Sequence, residues 1–410
     1  MIGFERLWPS IFPWHLGYTL LWSGLPLYNL ADAIGFAGLS ALFLFLQALI
    51  GAIYLETKKN RQFFYRWVAA ISLAILLLVL NIIGLQKEKF WKQKISQADL
   101  QLEVGITQVN IGNMDDQYLK YGSRFPSMIM NSYFDETQKL ITNHSKKLDL
   151  LIWPESALAF PLNPAFLNNF NQQQLRERLQ GWQVSLFTGA YGQSTELKSP
   201  LGGPLSYNSS FLLNSQGEVL GEYSKTILLA FGEYLPLGES FPALFKLFPY
   251  TGHFGRGPGP SVLSFPVHGK TLQIGPQICY ESLFSDFSRG LAQQGADVII
   301  NVTNDSWYGP FSEQFQHLYM TLARAIEVRR PLIRSTNTGI SSIILADGKI
   351  LDQSPYSAVW SKGFTVPINL SQEPTFFVQY GSFDFFLWLL LTILCIFSLH
   401  KLKKEKGLES

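Results

Sequence analysis

Apolar residues fall in blocks along the 410-residue chain. Residues 33–55, AIGFAGLSALFLFLQALIGAIYL, and residues 67–85, WVAAISLAILLLVLNIIGL, carry no charge. A helix of about 20 residues crosses the hydrocarbon core of a bilayer, so both blocks predict spanning helices. Residues 385–399, FFLWLLLTILCIFSL, form a third candidate once residues 382–384 are placed at the interface. Residues 7–30 are aromatic and apolar but are broken by Pro9, Pro13, Gly24 and Pro26. They read as a short spanning or interfacial piece. Glu5 and Arg6 form no basic leader and no small-residue cleavage site follows, so a cleavable signal peptide is not expected.

Between about residues 100 and 370 the pattern changes to short runs separated by turn residues. LEVGITQVNI ends a strand near Asn110, LDLLIWPES is an apolar run of strand length ending at Pro154, and VSLFTGAYG is another. YNSSFLLNSQGEVLGEYSKTILL places two runs around an Asn-Ser-Gln-Gly turn, a hairpin signal. TLQIGPQICYE and GADVIINVTND read as strands with a helix, SLFSDFSRGLAQQG, between them. EQFQHLYMTLARAIEVRR has helical period, with Phe315, Leu318, Leu322 and Ile326 on one stripe. PLIRSTNTGISSIILADGKIL closes with a hairpin around Asp347-Gly348. Alternating strands and helices with several hairpins predict a layered α/β domain with a mixed sheet. No internal repeat or low-complexity segment is visible in the sequence.

Composition and charge sharpen the picture. Hydrophobic residues make up 47% of the chain and charged residues only 15%, a balance that fits partial residence in lipid. The net charge of +2 gives no reason to expect a nucleic-acid partner. Lys58, Lys59, Arg61 and Arg66 lie between the first two apolar blocks, and HKLKKEK follows the last. The positive-inside bias puts both basic segments in the cytoplasm and the intervening domain on the opposite face. The two cysteines, Cys279 and Cys395, are far apart, and the second sits in an apolar block, so no disulfide framework is expected. No group of Cys and His has zinc-like spacing.

Three polar residues stand at the ends of apolar runs. Glu155 follows a strand and a proline, Lys225 ends a strand before TILL, and Cys279 ends the run QIGPQI. Ligand and catalytic groups collect at the carboxyl ends of strands in open α/β sheets. A thiol, a carboxylate to take its proton and a lysine to hold developing negative charge make a set for acyl transfer. Each residue alone also has a plain structural reading: a helix cap, a solvated strand-end charge and a packed core thiol.

The motifs WPES around Glu155, YSKTILLAFGEYLP around Lys225 and Glu233, and ICYE around Cys279 resemble the Glu-Lys-Cys signature of the nitrilase, or carbon-nitrogen hydrolase, superfamily. FGEYLP, NDSWYG at 304–309, RAIEVRRPLIRSTNTGIS at 324–341 and the flanking apolar blocks are similar to its membrane branch, the bacterial apolipoprotein N-acyltransferases. The resemblance implies an αββα sandwich flanked by transmembrane helices. It divides the chain into a transmembrane region at 1–90, a nitrilase-like domain at 91–375, and a transmembrane helix with a basic tail at 376–410. It places the enzyme in the bacterial inner membrane with the domain on the periplasmic side.

By the same resemblance Cys279 is the nucleophile, Glu155 the general base and Lys225 the cation beside the oxyanion. Glu233 supports this set, Tyr280 and Glu281 shape the acyl or acceptor site, and Asn304 and Trp307 belong to a loop near the pocket mouth. The implied reaction moves an acyl chain from a phospholipid to Cys279, then to the N-terminal amine of a diacylglyceryl cysteine on an apolipoprotein, with no metal or cofactor. The aromatic stretch at 230–250 is expected to dip into the membrane interface as a lid. The rival expectations are a membrane-tethered amidase or nitrilase hydrolysing a small C–N substrate, and a truncated, non-catalytic scaffold. Two departures from the family pattern stand out. The chain begins almost directly at FPWHLGYT, where the family carries further spans. QVNIGNMDDQYLKYG lacks the tryptophan expected after the first strand and has Tyr118 nearby.

Overall fold

The first two apolar blocks form long helices, α1 over Ala31–Lys59 and α2 over Phe63–Ser96. Two segments, Pro26–Gly51 and Trp67–Ser96, are long and apolar enough to cross a membrane. Helix α1 bends at Gly35, whose φ of 68° and ψ of 170° are not helical. Along α2 the apolar side chains face outward: Leu78 is 61% exposed, and Ile71 and Ile75 are exposed as well. A row of large aliphatic side chains in that state suits hydrocarbon better than water. A Cβ at Gly84 would stand 2.1 Å from the Pro26 carbonyl oxygen, so only glycine lets α2 come this close. Lys87 then reaches Asp32 at 2.6 Å.

This computed structural model describes residues 12–59, 63–112, 114–162, 170–199, 202–238, 240–248, 251–307 and 312–381. The expected span at 385–399 and the basic tail lie outside the described residues, as do Arg61 and the side chains of Lys58, Lys59 and Arg66. The chain divides into two compact units, one of Met1–Phe90 with Thr375–Ser410 and one of Trp91–Pro374.

The larger unit holds two six-stranded sheets. The first contains β1 (Leu100–Gln108), β2 (Leu150–Ile152), β3 (Ser185–Lys198), β4 (Pro204–Leu213), β5 (Val219–Ser224) and β12 (Trp360–Ile368), in the order β12-β1-β2-β3-β4-β5. The second contains β6 (Leu263–Val267), β7 (Lys270–Ile278), β8 (Val298–Thr303), β9 (Leu332–Thr336), β10 (Ser342–Ile344) and β11 (Ile350–Gln353), in the order β11-β10-β9-β8-β7-β6. Both follow one plan. In each sheet three parallel strands, β1-β2-β3 or β7-β8-β9, carry an antiparallel edge strand on one side and an antiparallel pair of strands on the other. The sequence shows no repeat, yet the architecture is duplicated.

Helices cover the sheets, as parallel strands require. Helix α3 (Phe125–Asn143) packs on β1 and β12, while α4 (Ser285–Gln293) and α5 (Glu313–Val328) pack on β7 and β9 respectively. The two sheets meet through polar as well as apolar groups: Asn110 N–H donates to the Asn337 carbonyl, and Gln108 Oε1 accepts from Thr336, Ser341 and Ser354 hydroxyls. The result is the expected αββα sandwich. Both predicted hairpins form, with Gly217 and Gly348 at positive φ in their turns.

Helix α5 departs from its predicted face. Leu318, Leu322 and Ile326 are buried, but Phe315 is 50% exposed. The buried face is partly polar, and includes Gln314, His317, Thr321 and Arg324. These side chains belong to an internal network. Arg334 donates to Asp305 Oδ2 at 2.8 Å and to Asn301 Oδ1 at 2.7 Å, and Asp305 Oδ1 lies 3.1 Å from His317 Nδ1. Burial would push the Asp305 carboxyl up, but Arg334 and His317 hold it below the usual range. Removing one member of a buried pair strands the other's charge. Arg334→Met is therefore expected to destabilise the protein by about 3–5 kcal/mol, measured by urea unfolding of the full chain in detergent.

Candidate active site

Three elements bring the sequence-identified residues together. Glu155 follows β2 after Trp153 and Pro154, Lys225 follows β5 directly, and Cys279 follows β7 directly. The backbone at Glu155 lies against β3 because position 189 is glycine, where a Cβ would stand 2.6 Å from the Glu155 Cα. All three side chains are buried: Lys225 is 1% exposed and Cys279 8%.

Lys225 is the electrostatic centre. Its Nζ lies 2.8 Å from both Glu233 oxygens and 3.6 Å from Glu155 Oε1. Burial alone would lower its pKa, but Glu233, Glu155 and Cys279 hold it well above the usual lysine value. Asn208 on β4 completes the cluster. Its side-chain Nδ2 donates to Glu155 Oε1 at 2.7 Å and to Glu233 Oε1 at 2.8 Å, and its backbone carbonyl accepts the Lys225 backbone N–H at 2.8 Å. The remaining oxygens are used as well: Glu155 Oε2 accepts from the Asn304 N–H at 2.7 Å, and Glu233 Oε2 from the Leu229 N–H at 2.9 Å.

The thiol sits on a strained turn. Cys279 has φ 51°, a left-handed conformation costly for a residue with a side chain, at the start of a 3₁₀ turn over Cys279–Leu283. Its carbonyl accepts from Ser282 Oγ at 3.0 Å, and Ser282 Oγ also lies 3.2 Å from His317 Nε2. The Asp305–His317 pair thus supports the turn from beneath. Glu281 ties the turn to the lysine segment. One of its oxygens accepts from Tyr223 Oη at 2.6 Å, Thr226 N–H at 2.7 Å and Ile227 N–H at 3.1 Å, and the other from Ile278 N–H at 2.9 Å.

The neighbouring residues singled out in the sequence have definite partners. Glu281 is fully buried with four donors on its carboxylate, so it ties the segments that carry Cys279 and Lys225 to each other. Burial pushes its pKa up to about 7 against those donors. Asn304 is buried: its N–H donates to Glu155 Oε2 at 2.7 Å, while its Oδ1 accepts from Ser306 N–H at 3.3 Å and Asn337 Nδ2 at 3.2 Å. Tyr280 is buried edge-on to Phe284, and burial together with nearby Tyr234 pushes its hydroxyl up to about 12. Trp307 ends a 3₁₀ turn over Asp305–Trp307, and its side chain lies outside the described residues. Sequence reasoning missed Asn208, an asparagine inside a strand run with no distinguishing spacing.

Asp305, Glu313 and His317 have ligand atoms within 4.8 Å of one another. Arg334 and His317 already occupy the Asp305 oxygens, so this group reads as an ion-pair network.

The charges explain how the thiol is armed. Burial, then Glu155, raise the Cys279 pKa well above that of a free thiol, with Lys225 opposing. Burial also raises Glu155, with Lys225 pulling down and Glu233 pushing up. Glu155 and Glu233 share one partner cation, Lys225. A thiolate added to that is strongly disfavoured unless its proton moves to Glu155. The geometry thus favours attack by sulfur coupled to proton transfer. Iodoacetamide labelling of Cys279, located by peptide mass, should keep rising with pH beyond 9 without a plateau. In Glu155→Gln the rise should begin at lower pH, because the carboxylate that repels the thiolate is gone.

Residues 126–359 match the carbon-nitrogen hydrolase family model. The chain is 43% identical, over 94% of its length, to the apolipoprotein N-acyltransferase of Bdellovibrio bacteriovorus, of which it covers 69%. It is 31% identical to the apolipoprotein N-acyltransferase of Geobacter metallireducens, covering 95% of this chain and 71% of that protein. Among solved structures, a carbon-nitrogen hydrolase from Helicobacter pylori is similar at a TM-score of 0.47 and 15% identity, over 65% of this chain and 89% of that one. With a catalytic-type Glu, Lys and Cys gathered at strand ends and relatives matched along most of its length, the chain belongs to the apolipoprotein N-acyltransferase family of carbon-nitrogen hydrolases.

Proposed function

We propose that the chain transfers a fatty acyl group from a phospholipid to the N-terminal amine of a diacylglyceryl cysteine on apolipoproteins. The observation that carries this reading is the buried cluster of Glu155, Lys225 and Cys279, in a chain whose relatives are named for that transfer. Glu155 takes the thiol proton as sulfur attacks an ester carbonyl of the donor. Lys225 and a backbone N–H of the nucleophile turn face the oxyanion. The tetrahedral intermediate collapses, the lysophospholipid leaves with the proton from Glu155, and a thioester remains on Cys279. The acceptor amine then attacks the thioester, loses a proton to Glu155, and expels the thiolate to give an amide.

Both substrates carry long acyl chains, and each CH₂ moved into water costs about 0.8 kcal/mol. The reaction therefore belongs at a bilayer surface. The segment carrying Glu233 supports that location: Phe231, Leu237, Phe241, Leu247 and Phe248 are all exposed there. Such an apolar patch beside a charged cluster suits contact with lipid. The two apolar helices anchor the chain, and the basic residues between them favour a bacterial inner membrane with the sandwich on the periplasmic side.

With phosphatidylethanolamine and a diacylglyceryl peptide in detergent, the wild type is expected to yield N-acyl peptide and lysophospholipid in equal amounts. Glu155→Gln should slow this by about 10²–10⁴-fold, and Cys279→Ala should abolish it. Release of free fatty acid without N-acyl peptide would mark a hydrolase instead.

A further inference from the structure

Beside the charged cluster, a cavity of about 440 Å³ opens along β3 and β4, within the size range of small-ligand sites. Its lining includes Tyr118, Tyr191, Gln193, Ser206, His253 and Phe254. The cavity has a cause in the strand pairing. Gln193 pairs with Ser206, but the next pair is Lys198 with Pro204, so β3 bulges outward and the hairpin opens. The segment 251–254 closes the other side: Phe254 stacks on Tyr191 at 5.9 Å, and Gly255 N–H donates to the Ser206 carbonyl.

The same segment connects the cavity to the charged cluster. Gly252 N–H donates to the Gly232 carbonyl and Phe254 N–H to the Glu233 carbonyl. Ser206 is two residues from Asn208, on the same face of β4. Gly189 touches the Glu155 backbone, and Gln193 lies four residues further along β3, about 13 Å at the usual rise of a strand. About four extended residues span that distance.

The lining decides what fits. Among the described residues it carries no Lys, Arg, Asp or Glu. A phospholipid headgroup needs a cation or a helix N-terminus for its phosphate. A neutral wall of aromatic rings, an amide, hydroxyls and an imidazole instead suits a short uncharged peptide, as aromatic and small polar groups do in other peptide-binding surfaces. Donor and acceptor both bring acyl chains, but only the acceptor continues as a polypeptide.

Resting on the acyl-transfer reading, we infer that this cavity binds the first few residues after the modified cysteine of the acceptor, and so sets which acceptors are used. The test compares two acceptors, diacylglyceryl-cysteine amide and the same group carrying four further uncharged residues, with phosphatidylethanolamine as donor. The ratio of their kcat/KM values within one variant cancels losses in folded fraction and in thioester formation. The wild type is expected to favour the longer acceptor by about tenfold or more. Ser206→Phe and Gln193→Phe, which fill the cavity from facing strands, should each bring the ratio close to one. A wild-type ratio of one overturns the inference, as does an unchanged ratio in both variants, including the case where filling raises KM for the phospholipid alone. If the wild type forms no N-acyl product from either acceptor, the acyl-transfer reading itself falls, and the inference with it.

Discussion

Lys225 lies buried between two carboxylates and near a thiol, and its charge pulls down the pKa of both Glu155 and Cys279. Burial and the neighbouring Glu155 push the Cys279 thiol well above its ordinary range, and Lys225 only partly opposes them. The thiol consequently remains protonated at rest, and a nucleophile appears only as its proton passes to Glu155. In the proposed transfer Lys225 balances whichever atom carries the displaced charge, first sulfur and then the oxyanion. Such a fixed dipolar environment needs little rearrangement during reaction, which is how buried charges contribute most to catalysis.

The sandwich exists to keep these groups in register. Glu155 and Cys279 come from different sheets, each at the carboxyl end of a parallel strand, and the duplicated plan of the two sheets brings those ends to one place. Lys225 comes from an antiparallel hairpin strand, so its position needs separate control. Glu281 provides it by accepting from Thr226 and Ile227 just after the lysine and from Ile278 just before the cysteine. Asn208 provides a second link by donating to both carboxylates at once. Behind the nucleophile turn, Arg334, Asp305, His317 and Ser282 form a chain of buried bonds that holds the Cys279 carbonyl in its left-handed geometry.

Much of this was legible in the sequence because strand ends leave a mark. Glu155, Lys225 and Cys279 each follow an apolar run, and the two hairpins carry their turn glycines. Motif resemblance alone supplied Glu233. What escaped notice has physical reasons. Strand β12 pairs with β1 some 260 positions away, as in Leu100 with Ile368, and no local pattern reports so distant a partner. Phe315 falls on the apolar stripe of α5, because hydropathy assumes that apolar residues face the core and polar ones face water. In α5 the buried face instead carries the polar support of the nucleophile turn, and the phenyl ring is pushed outward. The hydrogen bonds of Glu281 to Thr226 and Ile227, and of the Asn304 N–H to Glu155, join residues far apart in the chain, which no local pattern reports.

The apolar helices and the exposed aromatic loop bear on how lipid substrates reach so buried a thiol. A site that never leaves the bilayer surface avoids moving acyl chains through water, and a thioester keeps the chain attached between the two half-reactions. The central claim is that sulfur carries the acyl group. Incubation of the chain in bilayers made from one phospholipid of defined acyl length, followed by intact and peptide mass measurement, tests it most directly. The account predicts a mass gain equal to one acyl chain on Cys279, released by neutral hydroxylamine and absent in Cys279→Ala. An unmodified Cys279 under conditions that produce lysophospholipid would contradict it.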